Sequence, residues 1–202
     1  MIEKNPTAPE PSLPKLVNAL QLMTTHDHLC LIYESLDEWR LAVIPFILIG
    51  LKRKEKCIYV ADSHTIDQIR EFLSQEGVDV KALEHSGQLI MPLESETYTK
   101  NGSFDPDKMI SLLAKETQRA IADGYTALRV TGEMTWVLRG QPGSDRVIEY
   151  EAKLNRNFFP KYPCIALCQY DKRRFPPDTI IDVMRTHSKV IIGGKLLFIS
   201  AQ

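Results

Sequence analysis

The stretch Thr25-His26-Asp27-His28-Leu29-Cys30-Leu31-Ile32-Tyr33-Glu34-Ser35-Leu36-Asp37-Glu38-Trp39 decides the fold. An apolar run of strand length passes through a short polar turn into a helical pattern that extends to residue 53. The same exchange recurs along the chain. Strands are expected over 28–33, 56–61, 88–93, 126–131 and 163–170, and helices over 36–53, 64–76, 106–123, 144–158 and 177–187. Asp105 before Pro106 suits an N-cap followed by proline at the first helical position, and Gly77, Gly87 and Gly124 fall where helices or turns should end. Cys57-Ile58-Tyr59-Val60-Ala61 and Cys164-Ile165-Ala166-Leu167-Cys168 are apolar almost throughout, as strands covered by helices on both faces require. The expected architecture is a three-layer α/β fold with a mostly parallel sheet. Ligands in such folds bind beyond the carboxyl ends of the strands, which directs attention to 33–38, 62–64, 132–136 and 170–174.

The turn that opens the first helix also excludes a function. A phosphate cradle at this position needs glycines for close backbone approach and a lysine for charge. Here the turn Tyr33 to Trp39 has no glycine and carries Glu34, Asp37 and Glu38, so a phosphate meets repulsion and no ATP is expected.

At 202 residues and 44% apolar, the chain has the length of one domain, with 25 basic against 26 acidic residues. That balance provides no field for direct nucleic-acid binding. The longest apolar run, Leu41 to Leu51, is about half the ~20 residues of a membrane span, so no membrane association is expected. The N-terminus lacks the pattern of a secretory signal, which implies a cytoplasmic location. Residues 1–14 hold four prolines among polar residues and read as a flexible leader, and 15–202 as a single domain whose first element is a helix from Lys15 to Met23.

Strand alternation puts His26, His28, Cys30 and Ile32 on one face. His26, His28 and Cys30 are therefore candidate metal ligands, since imidazole and thiolate suit zinc and other soft metals. Cys164, Ala166, Cys168 and Tyr170 likewise share a face, and a His28, Cys30 and Cys168 site follows if the two strands are neighbours. The alternative is a core histidine bonded to backbone or carboxylate, beside buried reduced thiols. Glu133 stands directly beyond a strand, with Met134 and Trp136 as a pocket wall. Glu149, Tyr150 and Glu151 on the following helix approach the same region or form a solvated face. His187 at a helix end is favourably placed against the dipole, and acts in a site only by folding back over the sheet.

Taken together, His28-x-Cys30-x-x-Tyr33, Pro45-Phe46-x-x-x-Gly50, Cys57-Ile58-Tyr59-Val60, Arg129-x-Thr131-Gly132-Glu133-Met134-x-Trp136, Cys168-x-Tyr170-Asp171 and His187-x-x-Val190-Ile191 resemble the MEDS family, the methanogen/methylotroph sensory domain, over about residues 26 to 195. The resemblance implies a RecA-like fold of the circadian-clock ATPase type that has lost its phosphate loop. It also implies sensing of hydrocarbon or one-carbon, methylated derivatives. No helix-turn-helix region is evident in this chain, so output is expected through a signalling protein partner or a homo-oligomer.

On this reading a small hydrophobic or one-carbon ligand occupies a pocket at the strand ends lined by His28, Cys30, Tyr33, Glu133, Trp136, Cys168 and Tyr170. The alternative is a metal- or thiol-dependent enzyme acting on one-carbon or organosulfur substrates, with Cys30 as nucleophile or ligand and Glu133 as acid/base. A third is a degenerate nucleotide-binding scaffold used for assembly. The sequence specifies no cofactor beyond a candidate metal ion.

Overall fold

The computed structural model of the protein describes residues 13–199. The expected leader lies outside the described residues except for Leu13 and Pro14, which already belong to the first helix. In chain order the elements are α1 (Leu13–Gln21), β1 (His28–Tyr33), α2 (Leu36–Lys52), β2 (Lys56–Val60), α3 (Ile66–Gln75), α4 (Val80–Ser86), β3 (Leu89–Ile90), α5 (Pro106–Ala122), β4 (Leu128–Glu133), α6 (Val147–Lys153), β5 (Cys164–Asp171), α7 (Pro177–Thr186), β6 (Lys189–Ile192) and β7 (Lys195–Phe198). The seven strands form one sheet in the order β3-β2-β4-β5-β1-β6-β7, parallel except for β7, which returns antiparallel along β6. The three-layer α/β architecture expected from the apolar strands is the one observed. Among the described residues, no helix is long and apolar enough to cross a membrane.

Every residue of β1, β2, β4 and β5 is buried, because helices cover both faces. Leu29, Leu31 and Tyr33 of β1 pack with α1–α4, whereas Cys30 and Ile32 pack with α5, α6 and α7. The two cores are separated by the sheet itself. β1 lies between β5 and β6, with Cys30 in register with Cys168 and with Val190, so the expected proximity of Cys30 and Cys168 holds.

Three local features depart from the sequence expectation. α4, seven residues long with Val80 its one fully buried residue, is too short to show a helical period. The expected helix over 144–158 is three pieces: a 3₁₀ turn at Ser144–Arg146, α6, and a π-helical turn at Leu154–Phe158. The chain after residue 187 makes a β-hairpin, turned by Gly193 and Gly194 at φ +53° and +68°, which is the two-residue geometry glycine favours.

Candidate functional site: a buried imidazole, carboxylate and thiol cluster

The turn after β1, where a phosphate would sit in a nucleotide-binding relative, is closed by the chain itself. Ser35 caps α2 by accepting from the Glu38 amide at 3.2 Å, and the Glu38 carboxylate accepts from the Glu34 amide at 2.9 Å. The Lys172 amide donates to the Tyr33 carbonyl at 2.8 Å. The Glu34 and Glu38 amides of this turn are thus committed to internal acceptors, and the carboxylates beside them repel an anion.

The carboxylates at the ends of β2 and β4 are likewise engaged. Glu133 is buried and accepts from the Tyr59 hydroxyl, the Ser63 amide and, at 3.0 Å, the His64 amide. Thr135 Oγ1 donates to Asp62 at 2.5 Å, Arg139 donates to the other Asp62 oxygen at 2.6 Å, and Arg174 reaches Ser63 Oγ at 2.8 Å.

The cluster with uncommitted chemistry lies elsewhere, on the α5–α7 face of the sheet. His28 from β1, Glu151 from α6, Cys168 from β5 and His187 just beyond α7 place one ligand atom each within 4.8 Å of the others. All four are buried. His28 Nε2 lies 3.1 Å from His187 Nε2, 3.2 Å from Glu151 Oε2 and 3.4 Å from Cys168 Sγ. Glu151 Oε2 lies 3.6 Å from Cys168 Sγ and 3.7 Å from His187 Nε2.

The partners on the outer side of the cluster fix its orientation. His28 Nδ1 donates to Asn155 Oδ1 at 2.9 Å, and the Asn155 amide is itself fixed by donating to the Thr186 carbonyl at 2.5 Å. His187 Nδ1 donates to the Val183 carbonyl at 2.8 Å. With both Nδ1 atoms acting as donors to outer partners, the two Nε2 atoms face each other at the centre of the cluster. Tyr170 donates to Glu151 Oε1 at 2.6 Å, leaving Oε2 to face the imidazoles and the thiol.

The electrostatics follow from burial. Desolvation favours the neutral form of every group here, yet His187, His28 and the Tyr170 hydroxyl outweigh it for Glu151 and bring its carboxyl down to about 2. Desolvation and the neighbouring His28 push His187 down to about 4. Desolvation, then the Glu151 charge, pushes the Cys168 thiol up. Glu151 Oε2 thus faces two inward-pointing Nε2 atoms and a thiol pushed toward its protonated form.

The structure does not bring the seven expected pocket residues together. His28, Cys168 and Tyr170 belong to this cluster. Cys30 is buried on the neighbouring strand on the same face, its thiol pushed up by burial and by Glu151. Trp136 is also on this face but packs into an aromatic group, 4.7 Å from Phe104 and 5.1 Å from Tyr98 between ring centroids. Tyr33 and Glu133 lie across the sheet, because odd-numbered residues of β1 and β4 face α1–α4. The seven residues therefore do not line one pocket at the strand ends: they divide between the two faces of the sheet, and the cluster that holds three of them reaches back to the start of β1. An enzyme pairing Cys30 with Glu133 is corrected too, since the sheet separates them and the thiol is held in its protonated form.

His26 stands apart from this cluster. It precedes β1 with φ +78°, and its exposed ring turns away to the Phe159 carbonyl. The residues that sequence reasoning left outside its site are Glu151, His187 and Asn155. For Glu151 a signal existed: Val147, Tyr150, Leu154 and Phe158 form the apolar stripe of α6 and its extension, and Glu151 stands within that stripe four residues after Val147.

The sequence profile of the methanogen/methylotroph, DcmR sensory domain matches residues 27–188. The chain belongs to the MEDS family. The MEDS domain is 30% identical over 162 residues to the transcriptional repressor DcmR of Methylorubrum extorquens (strain DSM 6343 / CIP 106787 / DM4), an alignment that takes in 80% of this chain and 58% of DcmR. The chain thus spans little more than half the length of that relative. The crystal structure of a KaiC-like protein from Pyrococcus horikoshii OT3 superposes with a TM-score of 0.57 over 82% of this chain and 70% of that one, at 14% identity, which establishes the KaiC-like, RecA-like fold. The family is one of sensory domains.

Proposed function

We propose that this MEDS domain senses a small molecule, a hydrocarbon or one-carbon derivative, at the His28–Glu151–Cys168–His187 cluster, and that it does so as a binding module rather than an enzyme. The carrying observation is the connection of the cluster to the surface. Asn155 is exposed, yet it holds the buried His28 ring and the end of α7. Asn155, Thr186 and His187 line an open cleft of about 550 Å³, together with Arg156 and Arg185. That volume lies in the range of small-molecule sites, about 300–1,000 Å³. On the other side of Cys168 a void of about 10 Å³ has room for one water-sized group.

A ligand entering the cleft meets the contact between the π-helical turn and α7 before it reaches the imidazoles. Breaking the Asn155 link to Thr186 frees the segment that leads into the β6–β7 hairpin, an edge suited to pass the change to a signalling partner or to a second copy of the chain. π-Helical turns are frequent at functional sites, in keeping with Asn155 standing on one.

The test is an NMR titration of the uniformly ¹⁵N-labelled chain with halogenated methanes, methylated amines and thiols, and short alcohols. Saturable shifts centred on Asn155, Thr186 and His187 are expected with at least one class. Shifts centred instead on Glu133 and His64, or none in any class at millimolar concentration, overturn the proposal.

A further inference from the structure

We infer that His28 Nε2, His187 Nε2, Cys168 Sγ and Glu151 Oε2 together bind one d-block divalent cation of the zinc type. The inference rests on the sensory reading of this cluster for its purpose, but its geometry is independent of any organic ligand.

The separations among the donors carry it. A tetrahedron whose centre lies about 2.0–2.3 Å from its corners, the bond lengths of zinc to N, O and S, has edges of about 3.3–3.8 Å. Five of the six edges here measure 3.1, 3.2, 3.4, 3.6 and 3.7 Å. The sixth, His187 to Cys168, is within 4.8 Å. Unrelated polar side chains in a core seldom agree this closely on one centre, and the four come from four different elements.

The outer partners are those a metal site requires. A ligating imidazole donates its other N–H to a carbonyl or carboxamide, which aims the metal-binding nitrogen inward. His28 does this through Asn155, His187 through the Val183 carbonyl, and Tyr170 holds the non-ligating oxygen of Glu151. Two imidazoles, one thiolate and one carboxylate match zinc, cobalt or iron(II) rather than magnesium or calcium, which take oxygen sets. Binding releases the Cys168 proton to solvent, so the bound unit carries 2+ from the metal against two ligand anions. No redox step is involved.

The experiment is a titration of the whole chain, freed of metal with chelator, with Co²⁺ and then Zn²⁺. Absorbance is recorded, and elemental analysis is made on protein purified without added metal. One Co²⁺ per chain is expected, with tetrahedral d–d bands and a thiolate-to-cobalt charge-transfer band, displaced stoichiometrically by Zn²⁺. Cys168→Ser should abolish the charge-transfer band, and Cys30→Ala should keep it. Asn155→Ala, a surface change that leaves all four donors in place, should weaken binding about 10- to 100-fold. Octahedral spectra, a charge-transfer band that survives Cys168→Ser, or no stoichiometric metal in the wild type each overturn the inference. If Cys168→Ser fails to fold, Asn155→Ala decides: unchanged affinity in that variant also overturns it. None of these readouts involves an organic ligand, so a folded protein that binds metal but none of the small-molecule panel refutes the sensory reading alone, and the reverse refutes the metal alone.

Discussion

Two buried carboxylates, Glu133 and Glu151, stand on opposite faces of one sheet, and the difference between them separates scaffold from site. Glu133 accepts from two backbone amides and a tyrosine hydroxyl, and its neighbour His64 is clamped by the Trp39 indole stacked at 4.2 Å. Three of its partners are donors held in place by the fold, and one imidazole, His64, stands 3.3 Å from its Oε1. Glu151 has one oxygen fixed in that manner, by Tyr170, while the other faces two imidazoles and a thiol, groups whose protons come and go. Both residues lie where a sequence reader would mark an acid. Only the second gathers two imidazoles and a thiol around one oxygen, a set that can exchange a proton for another cation.

The largest expected effect breaks the first of these. Glu133→Ala leaves the Ser63 and His64 amides and the Tyr59 hydroxyl without their acceptor in the interior, at about 1–3 kcal/mol for each unsatisfied group, or about 4 kcal/mol in all. Urea unfolding in the presence of chelator measures it. A loss below about 1 kcal/mol would mean that Glu133 is no lock, and the strand-end region would return as a site. Metal stoichiometry in whatever fraction folds should be unchanged.

Glu151→Gln tests the opposite case. The amide keeps an oxygen for Tyr170, so the chelator-treated variant should lose only about 1–2 kcal/mol. What it should lose fully is the response to metal. Wild type at zinc 100-fold above its Kd gains about 2.7 kcal/mol of unfolding free energy by mass action, and the variant at the same concentration should gain almost none. Equal gains in both would move the cation elsewhere.

The contrast also accounts for what the sequence could and could not disclose. Apolar runs such as Cys57 to Ala61 and Cys164 to Cys168 require cover on both faces, so the parallel three-layer sheet was legible without alignment or coordinates. So was the alternation that groups His28 with Cys30 and Cys168 with Tyr170. The β6–β7 hairpin was not read from the sequence, because four-residue strands give periodicity little to act on. The site was legible only by halves. Its donors come from β1, α6, β5 and the end of α7, with His28 over a hundred residues from the other three, and strand order across the sheet has no local signature. His187 shows the point: nothing in His187-Ser188-Lys189 indicates that α7 returns its C-terminal end over β1.

Asn155→Ala addresses the boundary between the cluster and solvent. The side chain is exposed, so the fold should tolerate its loss within about 1 kcal/mol, as surface substitutions generally do. Metal affinity should nevertheless fall about 10- to 100-fold, because the His28 ring loses the acceptor that aims it. Thermal melts with and without zinc separate the two quantities. A stability loss exceeding the affinity loss would make Asn155 a strut between the π-helical turn and α7 and nothing more.

The smallest effect is expected at His26, and it tests the rule of alternation itself. Extended backbone from residue 26 would put its ring beside His28 and Cys30, whereas φ +78° turns it out to the Phe159 carbonyl before the strand begins. Asparagine tolerates that left-handed conformation better than most residues and can offer the same carbonyl an N–H. His26→Asn should therefore change the unfolding free energy by less than about 0.5 kcal/mol and leave cobalt affinity and spectrum as in wild type. If affinity instead fell with that substitution, the strand would extend one turn of alternation further than the structure shows. The cluster would then draw on the loop before β1, and the separation between a fixed scaffold and a confined site would no longer hold on that side of the sheet.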